Sequence, residues 1–194
     1  MERREAIKYT AFFMGATLSA STIAALIEGC KVDTSDTWVP THFTKEEADF
    51  INELGETILP KTGTPGAKDA MIDRFLDTVR PLRYTAEENE KFKSGVNTLM
   101  EQAKKDLGKD FVRESPEKRL EWVNTIDKNS YDVFHAKPDM KNEERPFYLS
   151  LKEQILGGYF SSEIVAKNFF AFDPIPGSYD PCMPYENVGR AWAL

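Results

Sequence analysis

From Phe43 onward, apolar residues recur every three or four positions, in blocks bounded by capping residues, prolines and glycine. Thr44 followed three residues later by Glu47 forms a capping-box signature. Ala48, Ile51, Leu54 and Ile58 then predict one apolar helix face, closed by Pro60. A second helix is expected from Ala67 to about Val79, turning Ala70, Ile72, Phe75, Leu76 and Val79 inward, with Pro81 as its stop. Thr85 and Glu88 repeat the capping box for a third helix through Phe92, Val96, Leu99, Met100, Ala103 and Leu107, with Gly108 in the C-cap position. Ser115-Pro116 opens a fourth, carrying Leu120, Trp122, Val123 and Ile126. The pattern breaks between Ser130 and Arg145. It resumes at Pro146 for a fifth helix through Leu151, Ile155 and Leu156, and a short sixth helix fits Ser162 to Phe170. No β-alternation of useful length occurs. The fold class predicted is all-α: an irregular bundle of about five to six helices with a long, coil-rich carboxy-terminal wrap.

That wrap organises the reading of the chain. Leu156 to Ile164, Asp173 to Pro184 and Gly189 to Trp192 combine glycines, prolines, aromatics and charges in a stretch too irregular for one helix. Pro174, Pro176, Pro181 and Pro184 fix φ and remove backbone donors, so extended and turning backbone is expected. Pro176-Gly177 is a turn signal. Tyr159, Phe160, Phe169, Phe170, Phe172, Tyr179 and Trp192 give this coil a large apolar surface. It either wraps its own helical body or docks on another protein.

The amino terminus reads as an address. Arg3-Arg4 precedes a stretch from Tyr9 to Ile27 without a charge, and small residues lead to Gly29-Cys30. The segment resembles a twin-arginine export signal, with Ala6 where phenylalanine is usual. Gly29-Cys30 resembles the site at which a bacterial lipoprotein is cut and its cysteine acylated; Glu28 departs from that pattern. Two other readings are an uncleaved membrane anchor and a buried core helix. The domain organisation expected is a signal peptide over residues 1–29, a tether over 30–42 after a lipidated Cys30, and a helical domain over 43–194. Export would place the chain in the periplasm or cell envelope, lipid-anchored to a membrane.

Composition narrows the chemistry. In 194 residues the net charge is −7, which speaks against a nucleic-acid partner. Three tryptophans and thirteen phenylalanines argue against disorder. Two cysteines exclude a disulfide framework and a cysteine zinc site. The loop from Lys61 to Gly66 lacks the ending of a phosphate loop and follows a helix rather than a strand. No dinucleotide fingerprint and no haem-attachment motif is present. His42 and His135 stand at no ligand spacing and read as surface or supporting histidines. Cys182, between prolines, reads as a structural thiol or a candidate for an interchain disulfide in an oxidising compartment. Glu163 and Asp180 are an acid–base pair only if the fold brings them to one cleft. No catalytic, cofactor-binding or metal-binding residue is expected, and the profile fits an accessory subunit better than an enzyme.

Gly158 to Ile164, then Asp173 to Asp180, then Gly189 to Trp192, resemble the carboxy-terminal pattern of the gluconate 2-dehydrogenase subunit 3 family. Glu56 to Pro60 followed by Thr64 to Ala67 is similar to that family's first helix and loop. The resemblance spans roughly Phe43 to Leu194, with Ser161 and Ser178 as departures. It implies a small, non-catalytic subunit of a membrane-associated flavin dehydrogenase acting on sugars or sugar acids. FAD would sit in a large partner of the glucose–methanol–choline type, with a cytochrome c often completing the complex. The small subunit would carry the twin-arginine signal for both. Tyr159, Phe160, Ser162, Glu163, Asp173, Tyr179, Asp180, Arg190 and Trp192 are then the expected partner contacts, with the aromatics as anchors and Arg190 as a fork for a partner carboxylate or carbonyl. For each, an intramolecular role stands beside that one: rings closing this chain's core, and Arg190 paired with Glu163 or Asp180. Two other readings of the whole chain are a lone enzyme using Glu163, Asp180 or Cys182, and a stand-alone envelope lipoprotein binding a small ligand.

Overall fold

Thr44 accepts a hydrogen bond from the N–H of Glu47, and the Glu47 carboxylate accepts from the N–H of Thr44, so the first helix opens on a complete capping box. The computed structural model describes residues 38–137, 139–141, 144–173, 177, 180 and 182–193. The expectations for Arg3, Arg4, Cys30 and Tyr179 lie outside the described residues, as do the 1–29 boundary and most of the tether. Six α-helices follow one another: α1 Lys45–Ile58, α2 Ile72–Arg83, α3 Ala86–Leu107, α4 Pro116–His135, α5 Phe147–Ser161 and α6 Glu163–Asn168. Short 3₁₀ turns lie at Phe111–Arg113 and Tyr185–Asn187. The described residues form no strand, and the fold is all-α.

α1 is the central helix and touches α2, α3, α4 and the first 3₁₀ turn. Its Phe50, Ile51 and Leu54 are fully buried. α5 closes the bundle against α2 and α4, adding Leu151 and Ile155 to the same core. At one end Phe50, Phe111 and Trp122 pack ring on ring, and the Trp122 indole N–H donates to Asp106. α3 opens on the Thr85/Glu88 capping box and ends on Gly108 at φ 74°, a left-handed cap glycine takes without strain.

Three element expectations need correction. α2 begins at Ile72, not Ala67, because Met71 sits in the left-handed region at φ 52° and breaks the helical phase. Its buried face is Ile72, Asp73, Leu76, Asp77 and Arg80, which leaves Phe75 partly exposed. Pro81 lies inside the last turn, where it removes one bond to Asp77, and the helix closes through Tyr84 N–H to Arg80 O. α4 runs past Ser130 to His135, and its Leu120 faces outward. α5 continues through Gly157 and Gly158 to Ser161, so the start of the supposed coil is helix.

Candidate partner interface

Among the described residues, the carboxy-terminal end of α5, α6 and the segment after it carry most of the exposed aromatics; Tyr131 on α4 and Phe75 on α2 are exposed elsewhere. Phe160 is 44% exposed and packs edge-on to Tyr159 and near Phe169 and Phe170, whose own rings meet at 5.0 Å. Phe169, Phe172, Tyr185 and Trp192 are also exposed. Among the described residues the chain returns over this region at one parallel bridge between Ala171 and Trp192: Ala171 N–H donates to Ala191 O at 2.8 Å and Ala193 N–H donates to Ala171 O at 2.9 Å. Ala171 is buried beneath it, while Trp192 stays 52% exposed.

Beside the aromatics runs a groove of about 640 Å³ between α2 and the α5–α6 junction, lined in part by Met71, Phe75, Thr78, Gly158, Ser161 and Ile164. Its floor exists because Gly158 has no side chain. Ser162 sits at the junction of the two helices and donates its hydroxyl to Tyr159 O. Glu163 opens α6 and pairs with Lys167 one turn on, which holds its carboxyl below the ordinary range.

The nominated contacts divide. Phe160, Glu163, Asp173, Asp180, Arg190 and Trp192 are exposed, and Ser162 is half-buried. Tyr159 is not on the surface: it is 5% exposed, and its hydroxyl donates to Pro65 O at 2.6 Å. Its ring completes this chain's own core, because α5 presents it toward the 61–68 loop. Asp180 shapes its own turn, accepting from Cys182 N–H at 3.0 Å. Cys182 is exposed and, among the described residues, in no disulfide.

The loop from Lys61 to Lys68 is built around Glu56. Its two carboxylate oxygens accept from Lys61 N–H and Lys68 N–H, while Asp69 accepts from Gly66 N–H and Lys61 Nζ. Gly66 has no room for a Cβ between Glu56 and the Lys61 backbone. The Glu56 to Ala67 motif is thus a folding device.

Sequence reasoning missed the strongest polar site. The buried Asp77 carboxylate accepts three consecutive backbone N–H groups, from Thr41, His42 and Phe43, and the Thr41 hydroxyl, all at 2.8–2.9 Å. Burial opposes the charge on Asp77, but the bonds from Thr41, Phe43 and His42 outweigh it and hold the carboxyl below its usual range. One turn later Arg80, 3% exposed, is held by Asn89, Gln154 and Glu88 O, with its guanidinium 3.6 Å from the Phe92 centroid and 4.3 Å from that of Tyr84. His42, assigned to the tether from sequence, belongs to this site. Among the described residues its Nε2 is buried without a partner, and burial and then Lys93 push its pKa down. Among the described residues no cluster of His, Cys, Asp and Glu suits a metal ion, and no helix is long and apolar enough to cross a membrane.

Comparison with known sequences places this arrangement. The sequence model for gluconate 2-dehydrogenase subunit 3 matches residues 45–177, more than half of the chain. The chain belongs to the gluconate 2-dehydrogenase subunit 3 family. No curated protein and no solved structure matches it. The match runs from the start of α1 to Gly177 and so includes the Glu56 loop, Asp77 and Arg80 without the Thr41–Phe43 strap, the α2–α5 groove and the Phe160–Phe170 cluster. It stops before the returning segment that carries Arg190 and Trp192. As a member of the gluconate 2-dehydrogenase subunit 3 family, the chain is an accessory-type subunit of a dehydrogenase complex.

Proposed function

We propose that this chain is the small, non-catalytic subunit of a periplasmic or membrane-associated FAD-dependent sugar or sugar-acid dehydrogenase. It supports the folding, twin-arginine export and membrane attachment of a large flavoprotein of the glucose–methanol–choline type. FAD belongs to that partner, and a cytochrome c takes the electrons onward. Arg3 and Arg4 are the export signal, and Cys30 carries the lipid.

The observation that carries this reading is the band of exposed rings at Phe160, Phe169, Phe172 and Trp192 on a chain of this family. Covering the exposed half of one such ring removes on the order of 100 Å² of apolar surface from water, about 2 kcal/mol. Surface ion pairs are worth roughly 0–1 kcal/mol each, so the rings and not the charges would dominate docking.

The test is co-expression of the full chain with the large flavoprotein, affinity capture through this chain, and the visible spectrum of what is captured. A stoichiometric large chain with flavin absorbance is expected. With Arg3→Lys and Arg4→Lys together, both chains should remain inside the cell. Capture of this chain alone, with turnover of a sugar unaided, overturns the reading.

A further inference from the structure

A cleft of about 570 Å³ opens between α3, α4 and the first turn of α5, and shares no residue with the groove or the aromatic band. Its base is apolar, with Leu99 and Ile126 buried there. Its walls carry Ser94, Thr98 and Asn129 together with Lys91 and Arg145. The chain has 32 aspartates and glutamates, yet among the described residues none lines this cleft. Instead, donors meet there without acceptors. α5 starts on Pro146, which supplies no side-chain cap, and its first turn holds no acid. Leu149 N–H reaches Pro146 O, but the N–H groups of Phe147 and Tyr148 have no partner among the described residues. The start of a helix of 15 residues carries roughly half a positive charge, so these N–H groups favour an anion. Ser130 on α4 also lines the cleft; it is 8% exposed, and its hydroxyl bonds to nothing among the described residues. Arg145 gives both terminal nitrogens to Glu153, and its Nε is buried with no acceptor. The Phe147 ring lies on Gly95 of α3, where a Cβ would collide with it, and packs edge-on to Phe92 at 5.2 Å. That contact pins the start of α5 against α3 and keeps the donors in place. Buried donors without acceptors are costly, and a ligand rich in acceptors removes the cost.

The geometry points to a binding site for a small hydroxylated monocarboxylate: its carboxylate is held by the Phe147 and Tyr148 N–H groups and the Ser130 hydroxyl, beside Arg145, and its hydroxyls meet Ser94, Thr98 and Asn129. A single negative charge suits the cleft better than two. Glu153 already neutralises Arg145, and Glu87 pairs with Lys91. What is left for the ligand is the helix terminus and neutral donors, enough for a carboxylate and too little for a dianion. The site goes beyond the proposed function and does not depend on it, because every group named belongs to this chain.

Titration of the full chain with sodium gluconate, followed through its backbone amide shifts by NMR, tests this, with sorbitol and inorganic phosphate as comparators. Saturable binding with a Kd of about 1 mM or tighter is expected, with the largest shifts at the Phe147 and Tyr148 amides. Sorbitol keeps the hydroxyls and lacks the carboxylate, and should bind roughly tenfold more weakly or worse. Ser130→Ala should weaken gluconate about fivefold, and Arg145→Lys, which keeps the charge and loses Nε, by about as much. Should Arg145→Lys lower the melting temperature, Ser130→Ala decides, since it removes only a hydroxyl. No saturation by about 20 mM, shifts that fall elsewhere, sorbitol binding as well as gluconate, or an unchanged Kd in Ser130→Ala each overturns the site. Phosphate binding more tightly than gluconate overturns the carboxylate assignment. The titration uses this chain alone, so its failure leaves the capture of the flavoprotein standing.

Discussion

Gly158 of α5 and Phe75 of α2 meet face to face: a Cβ on Gly158 would stand 2.8 Å from Phe75 Cδ1 and 3.4 Å from Ile72 Cδ1. That contact sets how closely the two helices approach and forms the floor of the groove. Gly158→Ala gains up to about 1 kcal/mol of helix propensity. Overpacking against the ring costs about 1–3 kcal/mol, so the variant should be less stable by roughly 1 kcal/mol. In a Phe75→Ala background the same change should turn neutral or stabilising. A double-mutant cycle from urea melts reads that sign change directly.

Asp77 accepts four hydrogen bonds from the strap formed by Thr41, His42 and Phe43. Asp77→Ala strands three amide donors and should cost about 3 kcal/mol, with Asp77→Asn nearer half of that because one oxygen remains. Limited proteolysis should begin cutting between Val39 and Thr44 in the alanine variant under conditions where the native chain resists. The native carboxyl titrates below 3.8, so its contribution is fully present above that pH and disappears as the pH falls through the lowered value. Stability of the strap should be flat between neutrality and about pH 4 where Asp77 alone is concerned.

His42 adds a slope in a different window. Its pKa lies below the ordinary 6.5, owing first to burial and then to Lys93 and Arg80, against the pull of Asp77 and Glu47. The unfolded chain therefore takes up this proton before the folded one does. Stability should decline as the pH drops from 6.5 toward the native value. His42→Gln should flatten that part of the profile, measured as midpoint against pH between 5 and 8.

Tyr159 and Phe160 are neighbours in sequence with opposite duties. Tyr159→Phe loses the bond to Pro65 O and should lower stability by about 1 kcal/mol without touching partner capture. Phe160→Ser, with its ring already 44% exposed, should leave the melt within about 1 kcal/mol and reduce recovery of the flavoprotein by at least tenfold. Reversal of the two outcomes would put Tyr159 in the interface and Phe160 in the core.

Local chemistry in the sequence identified the helix starts well. Thr44/Glu47, Thr85/Glu88 and Ser115-Pro116 each open a helix where side-chain capping demands it. α2 was misread because its inward face carries Asp73, Asp77 and Arg80. A search for apolar periodicity discards such residues, although the Thr41–Phe43 amides make burial of Asp77 favourable and the Phe92 ring that of Arg80. Gly157-Gly158 suggested coil because glycine is a poor helix former; the need for it comes from Phe75, eighty-three positions earlier, which no local window contains. For the interface, the aromatic content of the tail was legible. Which rings face inward was not, since Tyr159 and Phe160 differ only in the side of α5 on which they fall.

The fork at Asp77 also has a mechanical meaning. A pull on Thr41 loads the Asp77 carboxylate, where four short bonds share it. Tension would arrive on α2, one face of which lines the groove beside the aromatic band, before it could peel Phe43 from the core. The strap thus acts as a strain relief: a load on Thr41 is shared with α2 before it reaches the first helix.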